Sequence, residues 1–323
     1  LWADGAPTPA AEPAPKTTPE AAKDPASGSA KDAPAKDAST RVSAAIKFAP
    51  PGPLPMVPIP QDGRVTVLKM NGMIDLGLSP FVQRVVDGLG PKDLLILDVN
   101  TLGGRVDAAI VIRDAVLNAK ARTVCWIHPR AISAGALICL ATDVIVVAPG
   151  ASIGAATPIQ IGQDGSAKPV EEKMTSYMRT EMGTTAEAKG RRGIIAEAMV
   201  DMDIEIEGLS PKGKLLTLDG QKALTWGIAS AEAADEAGLF KVLGRPEPAQ
   251  ISRPTMSWAE RLARFLSDPT VSGLLMTLGM LGILIELYSG GTGVGLIVGL
   301  SCLGLFFFGH HVVQLAGIEE ILL

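Results

Sequence analysis

The stretch from residue 271 to residue 308 most constrains what this chain can fold into. Residues 271–288 carry one charge, Glu286, and residues 294–308 carry none. A helix needs about 17–25 apolar residues to span a bilayer, so each run lies near that threshold. Ser289–Gly290–Gly291–Thr292–Gly293 separates them as a turn. A hairpin buried inside a soluble domain is the competing reading. It is the weaker one, because both runs are rich in Gly and Leu and have almost no polar face. The expectation is a membrane-embedded region over 271–323, and so a multi-pass protein in contact with a lipid bilayer. Upstream, within 254–268, Trp258, Leu262, Phe265 and Leu266 share one helical face, with Glu260, Arg261 and Arg264 elsewhere on the wheel. That pattern predicts an amphipathic juxtamembrane helix. Ile318–Glu319–Glu320–Ile321 reads as the start of another apolar segment, which makes a further C-terminal portion an expectation.

The remaining chain divides by composition. Residues 1–60 are dominated by Ala, Pro, Lys and Asp, and offer little apolar area to bury. They predict a disordered, semi-extended tether. The first residue is Leu1 rather than Met, so a removed signal peptide or a fragment is expected. Residues 61–250 alternate between strand and helix patterns. Apolar strands are predicted at 65–70, 94–99, 123–127 and 144–147, with helices at 81–89, 106–119 and 133–141 between them. A βαβ order of this kind predicts a mostly parallel sheet covered by helices. Further on, 171–201 reads as helix interrupted near Gly190, 215–218 as a strand and 221–226 as a helix ending at Gly227.

Charge and rare residues narrow the chemistry. The net charge of -5 and the lack of a basic stripe argue against nucleic acid as a partner. Cys125, Cys139 and Cys302 show no C-x-x-C spacing, so neither a metal site nor a disulfide framework is expected. They read instead as small buried hydrophobes. The acidic residues are dispersed, and nothing in the pattern calls for a cofactor.

Two short motifs follow strands. Asn100–Thr101–Leu102–Gly103–Gly104 comes after the strand at 94–99. Paired glycines leave backbone amides accessible, as an oxyanion hole or a phosphate site requires. No Lys-Ser or Lys-Thr follows, so this is not a Walker loop. Pro129–Arg130–Ala131–Ile132–Ser133–Ala134–Gly135–Ala136 comes after the strand at 123–127. Ser133 is either a helix N-cap or a nucleophile, and its small neighbours Ala134 and Gly135 leave room for a substrate backbone.

Together these motifs carry a resemblance. Asn100–Gly104, Ser133–Gly135, Ala148–Pro149–Gly150–Ala151–Ser152–Ile153–Gly154–Ala155 and Lys173–Met174–Thr175–Ser176–Tyr177 occur in an order similar to that of NfeD-type, ClpP-class membrane peptidases. Residues 195–199 and 218–229 resemble the same family. The resemblance implies a ClpP/crotonase-like fold of stacked βαβ units followed by transmembrane helices. It also implies a Ser-Lys dyad, with Ser133 as nucleophile, Lys173 as general base and Gly103 and Gly104 as oxyanion donors. The implied substrates are proteins with apolar segments, such as stomatin-like membrane proteins. A homo-oligomer and an extracytoplasmic catalytic domain are further implications, although Arg253, Arg261 and Arg264 oppose that orientation. The family usually has Pro where this chain has Leu102.

The residues agree with a lysine base. After Ser133 the next histidines are His310 and His311, beside the second apolar run, and His128 reads best as a packed strand-end residue. A lysine base must be neutral and so desolvated. The adjacent Glu171 and Glu172 oppose that unless they point away. The competing readings are a non-catalytic membrane scaffold that keeps the fold and an acyl-CoA enzyme of the crotonase type. The Ser-Lys pair and the membrane runs fit the second of these poorly.

Overall fold

The computed structural model describes residues 45–161, 167–248, 250–266, 268–289, 291 and 293–315. The elements follow the predicted alternation: β1 (Val65–Asn71), α1 (Leu78–Asp87), β2 (Leu94–Thr101), α2 (Val106–Leu117), β3 (Arg122–Ile132), α3 (Ala134–Leu140) and β4 (Val144–Val147). Then come β5 (Ser152–Gly154), β6 (Ile159–Ile161), β7 (Ala167–Pro169), α4 (Glu172–Ala188) and α5 (Gly193–Glu197). The domain ends with β8 (Thr217–Asp219), α6 (Gly220–Thr225), β9 (Ala231–Glu232), α7 (Glu236–Val242) and β10 (Ile251–Ser252). Three helices follow: α8 (Trp258–Leu266), α9 (Pro269–Ser289) and α10 (Val294–Leu315).

The main sheet runs β10-β1-β2-β3-β4-β9, all parallel. The central stretches 94–97 of β2, 124–127 of β3 and 144–147 of β4 are unbroken apolar runs because both faces are covered. On one face Leu68, Leu95, Leu97 and Ile127 pack against α1, α2 and α3. On the other, Val67, Ile96, Val124 and Val146 pack with Leu239 and Phe240 of α7. β3 is longer than its apolar core predicts. Its first half pairs with β4, and residues 130–132 then pair with β5. That extension places Ser133 beyond the strand end.

Two expectations are corrected. Cys125 in β3 and Cys139 in α3 are joined by a disulfide, with Cα atoms 5.3 Å apart. The two residues are 14 apart in sequence, and only the return of α3 onto the sheet brings them together. The tether also ends earlier than composition implies. The Ile46 amide donates to Glu205 O and the Leu54 amide to Ala229 O, while Phe48 packs edge-on to Trp226. Residues 46–54 therefore belong to the domain surface. The part of the predicted tether before residue 45 lies outside the described residues.

Candidate active site

Ser133 adopts φ 55 and ψ -119, a left-handed conformation that costs a non-glycine residue on the order of 1–3 kcal/mol. The surrounding backbone enforces it. The Ser133 amide donates to Gly154 O at 2.9 Å, and its carbonyl accepts from the Ala136 amide at 2.9 Å. Its side chain makes no capping hydrogen bond, so the hydroxyl is not serving as the N-cap of α3. Gly135 is what allows α3 to sit this close to β2, because a Cβ there would lie 2.4 Å from Thr101 Cγ2.

The Gly103–Gly104 strip runs beside this serine. A Cβ on Gly103, whose φ is +115, would fall 2.6 Å from Ser133 Cβ and 3.1 Å from its Oγ. A Cβ on Gly104 would fall 2.0 Å from Ile74 O. Neither position has space for a side chain. The strip is pinned by the segment after β1: the Ile74 amide donates to Gly103 O at 3.0 Å and the Arg105 amide to Ile74 O at 2.8 Å. Thr101 adds a further tie, as its hydroxyl donates to Gly72 O at 2.6 Å and accepts from the Gly103 amide at 2.9 Å. Among the described residues, the Gly104 and Ala134 amides donate to no acceptor, whereas the Gly103 amide is engaged by Thr101.

Lys173 lies in the first turn of α4 and is exposed. No hydrogen bond or ion pair joins it to Ser133 among the described residues. Of the two neighbouring glutamates, Glu172 is drawn to Arg179 at 3.5 Å. Arg105, Val106, Asp107, Ile110, Met174 and Tyr177 line a shallow, mainly apolar cleft between α2 and α4, next to the glycine strip. At its rim the Arg105 side chain hydrogen-bonds Asp107 and holds that carboxyl below its usual range. Burial, with nearby Glu181, pushes the Tyr177 phenol up.

The sequence itself now decides the family. Residues 64–253 match the NfeD1b N-terminal domain, and residues 270–323 match the NfeD integral membrane domain. The chain belongs to the NfeD family. It is similar to membrane protein NfeD1b of Bacillus subtilis (strain 168), with 37% identity over 262 residues, 80% of this chain and 59% of that protein. It is also similar to the membrane-bound protease PH1510 of Pyrococcus horikoshii, with 29% identity over 243 residues, 68% of this chain and 52% of that one. The chain thus spans between half and three-fifths of the length of these relatives. A solved structure of the 1510-N membrane-bound stomatin-specific protease, a lysine-to-alanine variant in complex with a substrate peptide, has a TM-score of 0.52 and 26% identity. That likeness covers 64% of this chain and 99% of the solved one.

In this NfeD chain, Ser133, Gly103, Gly104, Ala134 and Gly135 come together at the ends of β2 and β3, whereas Lys173, in α4, makes no hydrogen bond to any of them among the described residues. Sequence reasoning passed over Thr101, Gly154 and Ile74, which fix the backbone around the serine. Thr101 carried a faint signal, a hydroxyl two residues before the first glycine. Ile74 carried none, since its contribution is made entirely by its main chain. His128 stacks on Trp126 with ring centroids 4.4 Å apart and lies 3.9 Å from Asp98, and no contact joins it to Ser133. Among the described residues, no cluster of His, Cys, Asp or Glu has the makings of a metal site.

Proposed function

We propose that this chain is a membrane-bound serine endopeptidase in which Ser133 attacks peptide carbonyls and Lys173 is the general base. One observation carries the reading. The Ser133 hydroxyl is held in a strained backbone and is not used as a cap, and it sits against a glycine strip beside two unengaged amides. In the reaction the lysine takes the hydroxyl proton and Oγ bonds to the carbonyl carbon. The Gly104 and Ala134 amides receive the oxyanion, with Gly103 joining if its bond to Thr101 is released. Collapse expels the amine, which takes the proton from the lysine, and water then hydrolyses the acyl-serine. Lys173 must come within hydrogen-bond reach of the Ser133 hydroxyl for this to occur. Support for a lysine in this role is that the related 1510-N protease was captured with a substrate peptide once a lysine had been replaced.

The exposed position of Lys173 favours a second reading, a non-catalytic membrane adaptor that retains the fold. Fluorophosphonate labelling of the full chain separates the two. The peptidase reading expects labelling that is abolished in Ser133→Ala and slowed about 10²–10⁴-fold in Lys173→Ala. Labelling that persists equally in both variants removes the dyad, and no labelling of the parent chain leaves the adaptor.

The proposed substrates are apolar segments of membrane-associated proteins, stomatin-like proteins among them, since the related protease is described as stomatin-specific. A homo-oligomer is part of the same proposal. We also propose an extracytoplasmic catalytic domain anchored by two spans. Thr270–Tyr288 has the length and composition to cross a membrane, and the apolar stretch Val294–Gly309 is shorter. The Cys125–Cys139 disulfide suits an oxidising compartment. Arg253 and Arg264 are engaged by Glu236 and Asp75, which weakens their vote as positive-inside signals. Protease protection in oriented vesicles tests the orientation, and digestion from the cytoplasmic side alone would reverse it.

A further inference from the structure

Helix α8 joins the membrane region to the catalytic domain, and its contacts lead directly to the glycine strip. Trp258 and Leu262 are exposed, and Phe265, also exposed, borders a cleft that it shares with Lys69, Leu78 and Phe81 of the domain. Leu266, predicted on the same face as these three, instead turns inward to α10, where a Cβ on Gly309 would lie 2.5 Å from Leu266 Cβ. The opposite side of α8 grips the domain at two points. Arg84 holds Glu260 through two bonds of 2.9 Å. Arg264 reaches the segment that follows β1.

The second grip brackets one residue. Arg264 Nε donates to Asp75 Oδ2 at 2.7 Å, and its Nη2 donates to Met73 O at 3.2 Å. Ile74 lies between these anchors, and it is the residue whose amide and carbonyl bond Gly103 O and the Arg105 amide. Asp75 is itself fixed, because its Oδ1 accepts from the Gly77 and Leu78 amides at the start of α1. Gly77 permits the approach, since a Cβ there would meet Arg264 Cβ at 2.6 Å. From the juxtamembrane guanidinium to the strip facing Ser133 there are therefore two intervening residues on either route, Met73 or Asp75 and then Ile74.

We infer that Arg264 is a positioning residue for this site: by holding both sides of Ile74 it keeps the Gly103–Gly104 strip in register with Ser133, so peptide hydrolysis requires α8 to be seated on the domain. The inference rests on the peptidase reading above. Its physical basis is that amides placed for an oxyanion act only at hydrogen-bond distance, and a displacement of about 1 Å costs on the order of 10²-fold in rate. A helix that contacts both α10 and this segment makes the site sensitive to the membrane region around it.

The test uses the full chain in lipid nanodiscs, comparing the parent with Arg264→Ala, Arg264→Lys and, as a control away from the strip, Arg253→Ala. Two readouts are taken: hydrolysis of an internally quenched, Leu-rich peptide, and amide exchange over residues 101–106. Arg264→Ala is expected to lower kcat about 10–100-fold with KM within about two-fold, and to speed exchange at Arg105. Arg264→Lys, which retains a cation for Asp75, is expected to recover part of both, and Arg253→Ala to match the parent. Parental exchange and parental kcat in Arg264→Ala overturn the inference and leave the peptidase reading standing. A loss of activity that Arg264→Lys does not recover, accompanied by faster exchange throughout the domain, also overturns it, because that marks general unfolding. A parent chain with no Ser133-dependent hydrolysis brings down the peptidase reading, and this inference with it.

Discussion

The sheet domain and the C-terminal helical hairpin use the same apolar residues in opposite ways. In β2, Leu94, Leu95, Ile96 and Leu97 are fully buried between two layers. In α9 and α10, Leu287 is 75% exposed, Tyr288 89% and Ile297 68%. The domain hides its apolar surface from water, whereas the hairpin presents it outward, which is stable only where the surroundings are lipid. Glycine is divided the same way. Gly103 serves the domain through a backbone conformation that side chains disfavour. Gly282 and Gly299 serve the hairpin by close approach, as a Cβ on Gly282 would lie 3.0 Å from Gly299 Cα. Without a hydrophobic drive between helices in lipid, such contact supplies the association. The lesson is that apolar content and glycine count say little until the solvent on each side is known.

The contrast is open to attack at several points. The sharpest is a partly buried ion pair, which the domain has and which would be foreign to the hairpin exterior. Lys189 Nζ lies 2.8 Å from Asp143 Oδ1, and the Thr123 amide and hydroxyl bond Oδ2. Asp143→Ala removes the partner of that lysine and of Thr123 and is expected to cost about 2–4 kcal/mol in domain unfolding, with hairpin insertion unchanged. Burial alone would raise the Asp143 carboxyl, but its bonds to Lys189 and Thr123 outweigh this and hold it below the unfolded value of 3.8. The stability it contributes is therefore complete above that value and drains as pH falls through the folded one. Acid titration of the melting temperature should show this slope in the parent and not in the variant.

Next in size is Gly104→Ala. The added methyl has no room against Ile74 O, and the strip must move, so Ser133 labelling is expected to fall about 10²–10³-fold while the chain stays in the membrane. Gly282→Leu probes the other region. Overpacking should weaken the α9–α10 contact by about 1–3 kcal/mol, read as helix separation by cross-linking, with the melting of the domain unaltered. A drop in domain stability would show that the two regions are not independent. The smallest effect is expected from Asp98→Asn. Burial pushes the Asp98 carboxyl above 3.8, against the pull of His128 and Lys69. The folded state then keeps its proton longer, so stability falls as pH rises through the folded value. Asparagine removes that loss, giving a small gain in melting temperature at neutral pH that vanishes in acid.

Much of this molecule was legible in the residue order. Apolar runs marked β1 to β4, most plainly the one at 94–97 in β2, because a strand covered on both faces needs no polar alternation. The apolar stretches of α9 and α10 announced themselves by lacking charge. The motifs around Gly103 and Ser133 were visible because each sets small residues directly after an apolar strand. What the order did not disclose is what depends on distant segments meeting. Cys125 and Cys139 read as packing until α3 folded back on β3. Residues 46–54 read as tether until Phe48 found Trp226. The direction of the Gly103 amide and the grip of Arg264 on the Ile74 segment were decided by the fold alone. Periodicity and composition are local properties that each segment carries with it, whereas a hydrogen bond between main chains nearly two hundred residues apart leaves no trace in either.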